Sequence, residues 1–123
     1  MRSIKRKSNR EAYFEYQKGN SVFRVPLKDI SYFMSRDKKI IIAKKDGEEA
    51  FYGKLKSIAE NLPADFLMIH QSYIINQTYV SEFSYETVKM ANGEILNISK
   101  PYRKEIRSKI RQYQKVNRND GII

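Results

Sequence analysis

The sequence predicts a mainly β fold of stacked antiparallel sheets, with one short central helix and a basic C-terminal helix. Short β-prone runs recur at hairpin spacing along most of the chain, and tight-turn pairs such as Asn92-Gly93 separate them. Helical spacing of apolar residues appears only twice, before Pro63 and near the C-terminus. A sheet of βαβ units would need several crossover helices, so this pattern favours antiparallel sheets.

The first half of the chain contains five predicted strands and the short helix. Gly19-Asn20 joins the first two strands, and Asp46-Gly47 is predicted to form the turn between the fourth and fifth. Apolar residues then recur at helical spacing until Pro63 ends the run, which predicts a helix over 54–61. The strands are predicted at 13–18, 22–27, 30–35, 40–44 and 48–52.

The second half begins with a segment from Phe66 to Asn76 that is apolar at both ends and polar at His70-Gln71-Ser72. Two apolar arms around a polar centre predict two strands that present the centre at a surface, where β folds usually place functional residues. Three more strands are predicted at 79–83, 87–91 and 94–98. Ser99 is predicted to cap a final helix with one apolar face.

The length and composition indicate a single globular domain. With 123 residues, we expect a core domain over 12–116, a basic arm at 1–11 and a frayed tail at 117–123. The absence of cysteine excludes disulfides and thiolate metal sites and fits a reducing compartment. No apolar run approaches the roughly 20 residues of a membrane span. The N-terminus is basic, but no apolar segment follows it, so it does not match a secretory signal. The expected location is therefore cytoplasmic.

The net charge of +10 is concentrated at the two ends of the chain. Residues 1–10 include five basic side chains and no acid, and residues 100–118 include eight against Glu105 alone. Residues 11–99 are nearly neutral, with eleven basic and twelve acidic side chains. Two basic ends on a neutral body indicate a polyanionic partner. The alternative is that each end is a solubilising tail.

The sequence offers little for catalysis. It has one histidine, no cysteine and no glycine-rich phosphate loop such as GxxxxGK[ST] or GxGxxG. His70 and Ser72 lie two residues apart in one hairpin, which does not form a nucleophile elbow. No HExxH motif or carboxylate cluster suggests metal ligands. We therefore expect a protein that is not an enzyme and needs no cofactor.

If the chain binds duplex DNA, loops between strands must make the contacts, because no helix-turn-helix can be drawn. Gln71 could bond bidentately to adenine and His70 could donate to guanine or phosphate, whereas lysine and arginine would position the protein on phosphates. His70 as a structural histidine and Lys38-Lys39 as a solvated hairpin tip remain open. The candidate DNA-binding residues are Arg36, Lys38, Lys39, His70, Gln71, Ser72, Lys100, Tyr102, Arg103 and Lys104.

The segment Phe66-Leu-Met-Ile-His-Gln-Ser-Tyr-Ile-Ile-Asn76 resembles the family pattern F-x-x-x-H-x-S-[FY]-[IVL]-[VI]-N of LytTR-type DNA-binding domains. Further similarities follow in the family's order over roughly residues 12–112. They are Asp29-Ile-Ser-Tyr-Phe33, Phe51-Tyr-Gly-Lys-Leu55, and Asn92-Gly93 followed by Ile98-Ser99-Lys100. The His-x-Ser-Tyr-Ile-Ile-Asn run is specific, and its ordered companions make coincidence a poor explanation.

The resemblance implies a bacterial transcription regulator of elongated β-β-β architecture. Such a protein would insert loops into neighbouring major grooves of promoter DNA and bind tandem direct repeats as two copies. It implies a central contact loop at His70-Gln71, a first one near Lys38-Lys39 and a third at Lys100-Pro101. Pro101 stands where an arginine is common, so readout there would fall to Lys100, Tyr102 or Arg103. Ser72, Tyr73 and Asn76 would mainly support the central loop.

Two questions stay open at the level of sequence. The chain is either a stand-alone regulator or the DNA-binding part of a response regulator with a receiver domain. The rival to specific DNA binding is a basic module that binds RNA or an anionic surface without sequence preference. A membrane-binding helix would need a broad apolar face, and residues 100–116 match this only in part. We expect no membrane partner.

Overall fold

The computed structural model describes the backbone of residues 4–8 and 11–121 and the side chains of residues 12–112. Within these residues, eleven strands form three antiparallel sheets, which confirms the mainly β prediction. The sheets follow one another along the chain, and the short helix lies between two strands of the central sheet. The stacking of the three sheets positions the candidate site.

The N-terminal sheet has the order β1-β2-β3, with β1 at Ile4–Ser8, β2 at Glu11–Lys18 and β3 at Ser21–Pro26. Gly19, at a φ of 63°, provides the positive φ that the tight β2–β3 turn requires. Strand β1 was not predicted, since its residues fall in the expected basic arm. The side chains of β1 show no pattern typical of a strand. Its backbone nevertheless pairs with the edge of β2, which β3 leaves open.

The central sheet has the order β6-β5-β4-β8-β7. Its β5–β6 turn is formed by Lys45-Asp46, because Lys44 pairs with Gly47 across the ladder. The predicted Asp46-Gly47 turn was therefore one residue too late. The predicted short helix is found as α1, at Leu55–Ala59. The strands are β4 at Ile30–Arg36, β5 at Lys39–Lys44, β6 at Gly47–Tyr52, β7 at Phe66–His70 and β8 at Tyr73–Asn76.

The third sheet consists of β9 (Val80–Phe83), β10 (Thr87–Met90) and β11 (Ile95–Asn97), in the order β11-β10-β9. Residues 91–94 join β10 to β11, and the hydrogen bond that closes the loop encloses three of them rather than the predicted two. The amide of Met90 donates to the carbonyl of Glu94 (2.8 Å), which leaves Ala91, Asn92 and Gly93 in the loop. Gly93 takes a positive φ of 96°, as such loops require.

The C-terminal helix α2 spans Arg103–Gly121 and follows a 3-10 turn at Lys100–Tyr102. The frayed tail expected from residue 117 is helical through Gly121, because no proline or glycine precedes that point to end the helix. The side chain of Ser99 makes no capping hydrogen bond, so that prediction was wrong. Neither helix in the described part of the chain has the length and apolar character needed to cross a membrane.

The central sheet is buried on both faces, because its strands alternate their side chains between two cores. Phe33 and Ile74 point into an aromatic core with Phe14 of the N-terminal sheet. The neighbouring Tyr32 and Ile75 belong to a second core, which includes the third sheet and helix α2. Two buried faces make the central sheet a rigid support for the hairpins at its end.

Glu49 links the N-terminal sheet to the central sheet. The hydroxyl of Tyr16 donates to Glu49, and Lys44 Nζ donates to Glu49 Oε2 at 2.6 Å. Burial acts to raise the pKa of the Glu49 carboxyl, but the two hydrogen bonds outweigh it and leave that pKa below its usual value. Burial and the Glu49 charge together raise the pKa of Tyr16. The charged form of Glu49 is therefore part of the stable fold.

Candidate nucleic-acid interface

The first predicted contact segment is the two-residue turn Asp37-Lys38 between β4 and β5. Both residues have positive φ, 51° for Asp37 and 68° for Lys38, as a type I′ turn requires. The four residues from Arg36 to Lys39 are exposed. Lys39 Nζ lies 5.4 Å from the ring centroid of Tyr52 on the neighbouring strand, a cation–π contact. The turn thus presents three cationic side chains to solvent.

The second segment is the β7–β8 hairpin, in which Gln71 and Ser72 form the turn and His70 pairs with Tyr73. Nδ1 of His70 accepts a hydrogen bond from the amide of Ser72 at 3.0 Å. A neutral ring in this arrangement has its proton on Nε2, which is then a donor for an outside acceptor. A register shift between Met68 and His70 bends the strand just before the turn. Gln71 is exposed.

The third segment is the 3-10 turn Lys100–Tyr102, and backbone hydrogen bonds attach it to the second. The amide of Ser99 donates to the carbonyl of Ile69 at 2.9 Å, immediately before His70. On the other side, the amide of Ser35, two residues before the first turn, donates to the carbonyl of Ser72 at 2.9 Å. These two bonds connect the three segments, which are distant in sequence, into one edge of the molecule.

An open groove runs along this edge, with a volume of about 1010 Å³. We call it the contact groove. It is lined by one residue of each predicted segment, Lys38, Gln71 and Tyr102, and by Lys54 and Lys56. None of the described residues that line it is acidic. The groove therefore combines a neutral hydrogen-bonding side chain with three lysines, which is the chemistry of a surface for a polyanion.

This chain matches a known protein family and a known relative. The sequence profile of the LytTr DNA-binding domain matches residues 20–111. The chain belongs to the LytTr DNA-binding domain family. It is 28% identical over 95 residues to the sensory transduction protein LytT of Bacillus subtilis (strain 168), covering 72% of this chain and 39% of that protein. The chain thus spans less than half the length of this relative.

A solved structure has the same fold as this LytTr domain. It is the LytTr DNA-binding domain of a putative methyl-accepting/DNA response regulator from Bacillus cereus, which superposes with a TM-score of 0.68. The match covers 80% of this chain and 95% of that one at 21% identity. Family membership makes the protein a DNA-binding domain. Among its described residues, no group of three or more His, Cys, Asp or Glu side chains is placed to hold a metal ion.

Asn76 supports the central hairpin of this LytTr domain from inside. It is buried, its Nδ2 donates to the carbonyl of Ile30 at 2.9 Å, and its Oδ1 accepts from the amide of Thr78 at 3.0 Å. One side chain therefore fixes the start of β4 and the end of β8 together. Ser72 was expected to support the central loop, and its backbone makes two contacts there. Its amide donates to Nδ1 of His70, and its carbonyl accepts from the amide of Ser35.

Arg103 is oriented differently from the other predicted contact residues. Its Nε donates to the carbonyl of Ile98 at 3.0 Å, and its side chain is only 19% exposed. Its NH1 lies 3.9 Å from Glu86 Oε2. These contacts hold the guanidinium against the third sheet, whereas Lys100 and Lys104 are exposed. A DNA contact by Arg103 stays a prediction, and of the candidate cations in this segment Lys100 and Lys104 are the exposed ones.

The structure adds Tyr52, Lys54 and Lys56 to the groove, which were not among the candidates from the sequence. They follow β6 and enter helix α1, so in the sequence they look like an ordinary strand-to-helix connection. One signal was available in the sequence. Lys54 and Lys56 flank Leu55, and Lys54 lies within the segment Phe51–Leu55 that resembles the family pattern. Only the folding of β6 beside β5 brings them next to the Lys38 turn.

Proposed function

We propose that this domain is the DNA-reading part of a transcription regulator and recognises a specific duplex sequence through the contact groove. The observation that supports the proposal most directly is the meeting of Lys38, Gln71 and Tyr102 in one groove. Lys38 and Tyr102 are more than sixty positions apart in the sequence, and both line the groove. The three residues come from three segments that resemble the contact loops of the family.

In this proposal, Gln71 and His70 make the base contacts. A glutamine amide bonds bidentately to the N6 and N7 edge of adenine in the major groove, and Gln71 is exposed at the tip of a hairpin on a rigid sheet. His70 contributes one donor at Nε2, because its Nδ1 is already occupied by the Ser72 amide. Guanine N7 or O6, or a phosphate oxygen, can accept from it.

The lysines position the protein without reading sequence. Lys38, Lys54, Lys56 and Lys100 each place a point charge near the groove or its end, where phosphate oxygens would lie. Two copies would bind tandem direct repeats, and a receiver domain or other sensory part would belong to the longer regulator. The length of the relative, of which this chain covers only 39%, supports a longer protein.

The membrane alternative is less well supported. The apolar residues Ile106 and Ile110 of helix α2 are buried in the second core, with 3% and 8% of their surface exposed. Over its described side chains, the helix thus presents a basic outer surface and keeps its apolar face inside. A helix that inserts into a bilayer must expose that face.

The test begins with selection of preferred sites from a random duplex library, followed by affinity measurements on the selected and a scrambled duplex over a salt series. We expect a clear preference for the selected site at every salt concentration. Gln71→Ala should cost about 1–3 kcal/mol on the selected site and little on scrambled DNA. Gln17→Ala is a matched control, because Gln17 is exposed on β2 away from the groove. Equal affinity for both duplexes would refute sequence-specific recognition.

A further inference from the structure

A second concave site lies between the β9–β10 loop and helix α2, and none of its lining residues belongs to the contact groove. Its volume is about 230 Å³. The floor is apolar, formed by Ile98, Ile106 and Ile110, all of which are buried in the second core. The basic helix was singled out in the sequence by its charge, and DNA recognition through the groove does not account for this site.

Three arginines form one side of this site, which we call the arginine pocket. Arg103, Arg107 and Arg111 follow one another at a spacing of four residues, so they lie along one line of the helix. Tyr85 lies across from them, and 53% of its surface is exposed. The guanidinium of Arg107 lies 4.4 Å from the Tyr85 ring centroid, and that of Arg103 lies 5.7 Å from it.

The arginines differ in how far they are already engaged. Arg103 is held by the Ile98 carbonyl and lies near Glu86. The Glu86 side chain is the nearest acid, but it is 68% exposed and 3.9 Å away, so it can give way to another carboxylate. Arg107 and Arg111 are exposed, and no ion pair among the described side chains involves them. Their planar guanidinium forks suit a carboxylate, which they bind bidentately.

Size and chemistry together limit what can occupy the pocket. Small-molecule sites usually measure about 300–1,000 Å³, so a volume of about 230 Å³ suits a single large side chain better than a separate ligand. A phosphate backbone would leave the apolar floor uncovered, and a second copy of this chain, with its net charge of +10, would be repelled. We propose that the arginine pocket docks an acidic segment of a partner protein, with one aromatic or aliphatic side chain inserted as the anchor.

The docking proposal goes beyond DNA recognition and can be tested without DNA. The probe is a fluorescein-labelled peptide of about 12 residues, rich in Asp and Glu around one central Phe, measured by fluorescence anisotropy against the full chain. Replacing the peptide's Phe with Ser should weaken binding at least about tenfold, the value of one buried aromatic side chain. Arg107→Ala should weaken it about fivefold, as expected for one favourable ion pair.

Ser84→Trp tests the pocket itself without changing any charge. Ser84 is exposed and lines the pocket, so an indole there should fill it and weaken peptide binding about tenfold. Lys104→Ala is the matched control, because Lys104 is an exposed cation of the same helix outside the pocket. It should leave the affinity within about twofold. Circular dichroism of each variant establishes that the fold is retained.

Three results would overturn the proposal. The first is equal binding of the Phe and Ser peptides, which would show attraction by charge alone. The second is an unchanged peptide affinity in folded Ser84→Trp. The third is a loss of duplex affinity in Ser84→Trp as large as its loss of peptide affinity, which would assign the pocket to DNA. Failure of specific DNA recognition in the earlier experiment would leave these peptide measurements unaffected.

Discussion

Replacing Lys38 with glycine should stabilise the domain and weaken DNA binding at the same time. Lys38 has a φ of 68°, in the left-handed region that costs a residue with a Cβ about 1–2 kcal/mol. Glycine removes this cost but adds about 0.5–1 kcal/mol of backbone entropy to the unfolded chain. The net expectation is a gain of about 0.5–1 kcal/mol in the free energy of unfolding, measured by urea denaturation.

The same substitution removes one cation from the contact groove. If Lys38 neutralises one phosphate, the slope of log K against log salt becomes shallower by about 0.9, and affinity for any duplex falls. Asp37→Gly is the matched control, because Asp37 has a similar φ of 51° but an acidic side chain. It should also stabilise the turn, and DNA affinity should hold or rise. No gain in stability for Lys38→Gly would refute the strain argument, and a stabilised variant with unchanged salt dependence would refute the phosphate contact.

Three further outcomes are expected. Asn76→Ala should lower the free energy of unfolding by about 2–3 kcal/mol, since it removes one buried and one partly buried hydrogen bond and leaves the Ile30 carbonyl without its donor; a loss below about 0.5 kcal/mol in urea denaturation would contradict this. The lowered pKa of Glu49 means that its contribution to stability is fully present above the ordinary carboxyl range and is lost as pH falls through the folded-state value. The difference in stability between wild type and Glu49→Gln should therefore shrink on acidification, and a difference independent of pH would rule out the linkage. Lys56→Ala should weaken binding to selected and scrambled duplexes alike, and an effect confined to the selected site would instead make Lys56 a base-reading residue.

Much of the fold follows from local patterns. Short β-prone runs predicted strands such as β4 and β5, and the apolar arms around His70 predicted the central hairpin and its exposed turn. Turn positions were less exact, as at Lys45-Asp46, because register depends on the partner strand as well as on the glycine. Strand β1 could not be foreseen, since its pairing satisfies backbone groups and leaves no mark in the side-chain pattern.

The candidate site shows the same division. The sequence by itself determined the chemistry of the edge: an exposed glutamine beside the one histidine, a basic turn at Lys38, and a basic final helix. Only the tertiary structure decided which cations share the groove. It turned Arg103 toward the Ile98 carbonyl and placed Lys54 and Lys56 in the same groove as Gln71. The physical reason is that side-chain periodicity reports local geometry, whereas these placements depend on hydrogen bonds and packing between residues far apart in the chain, such as Ser35 with Ser72.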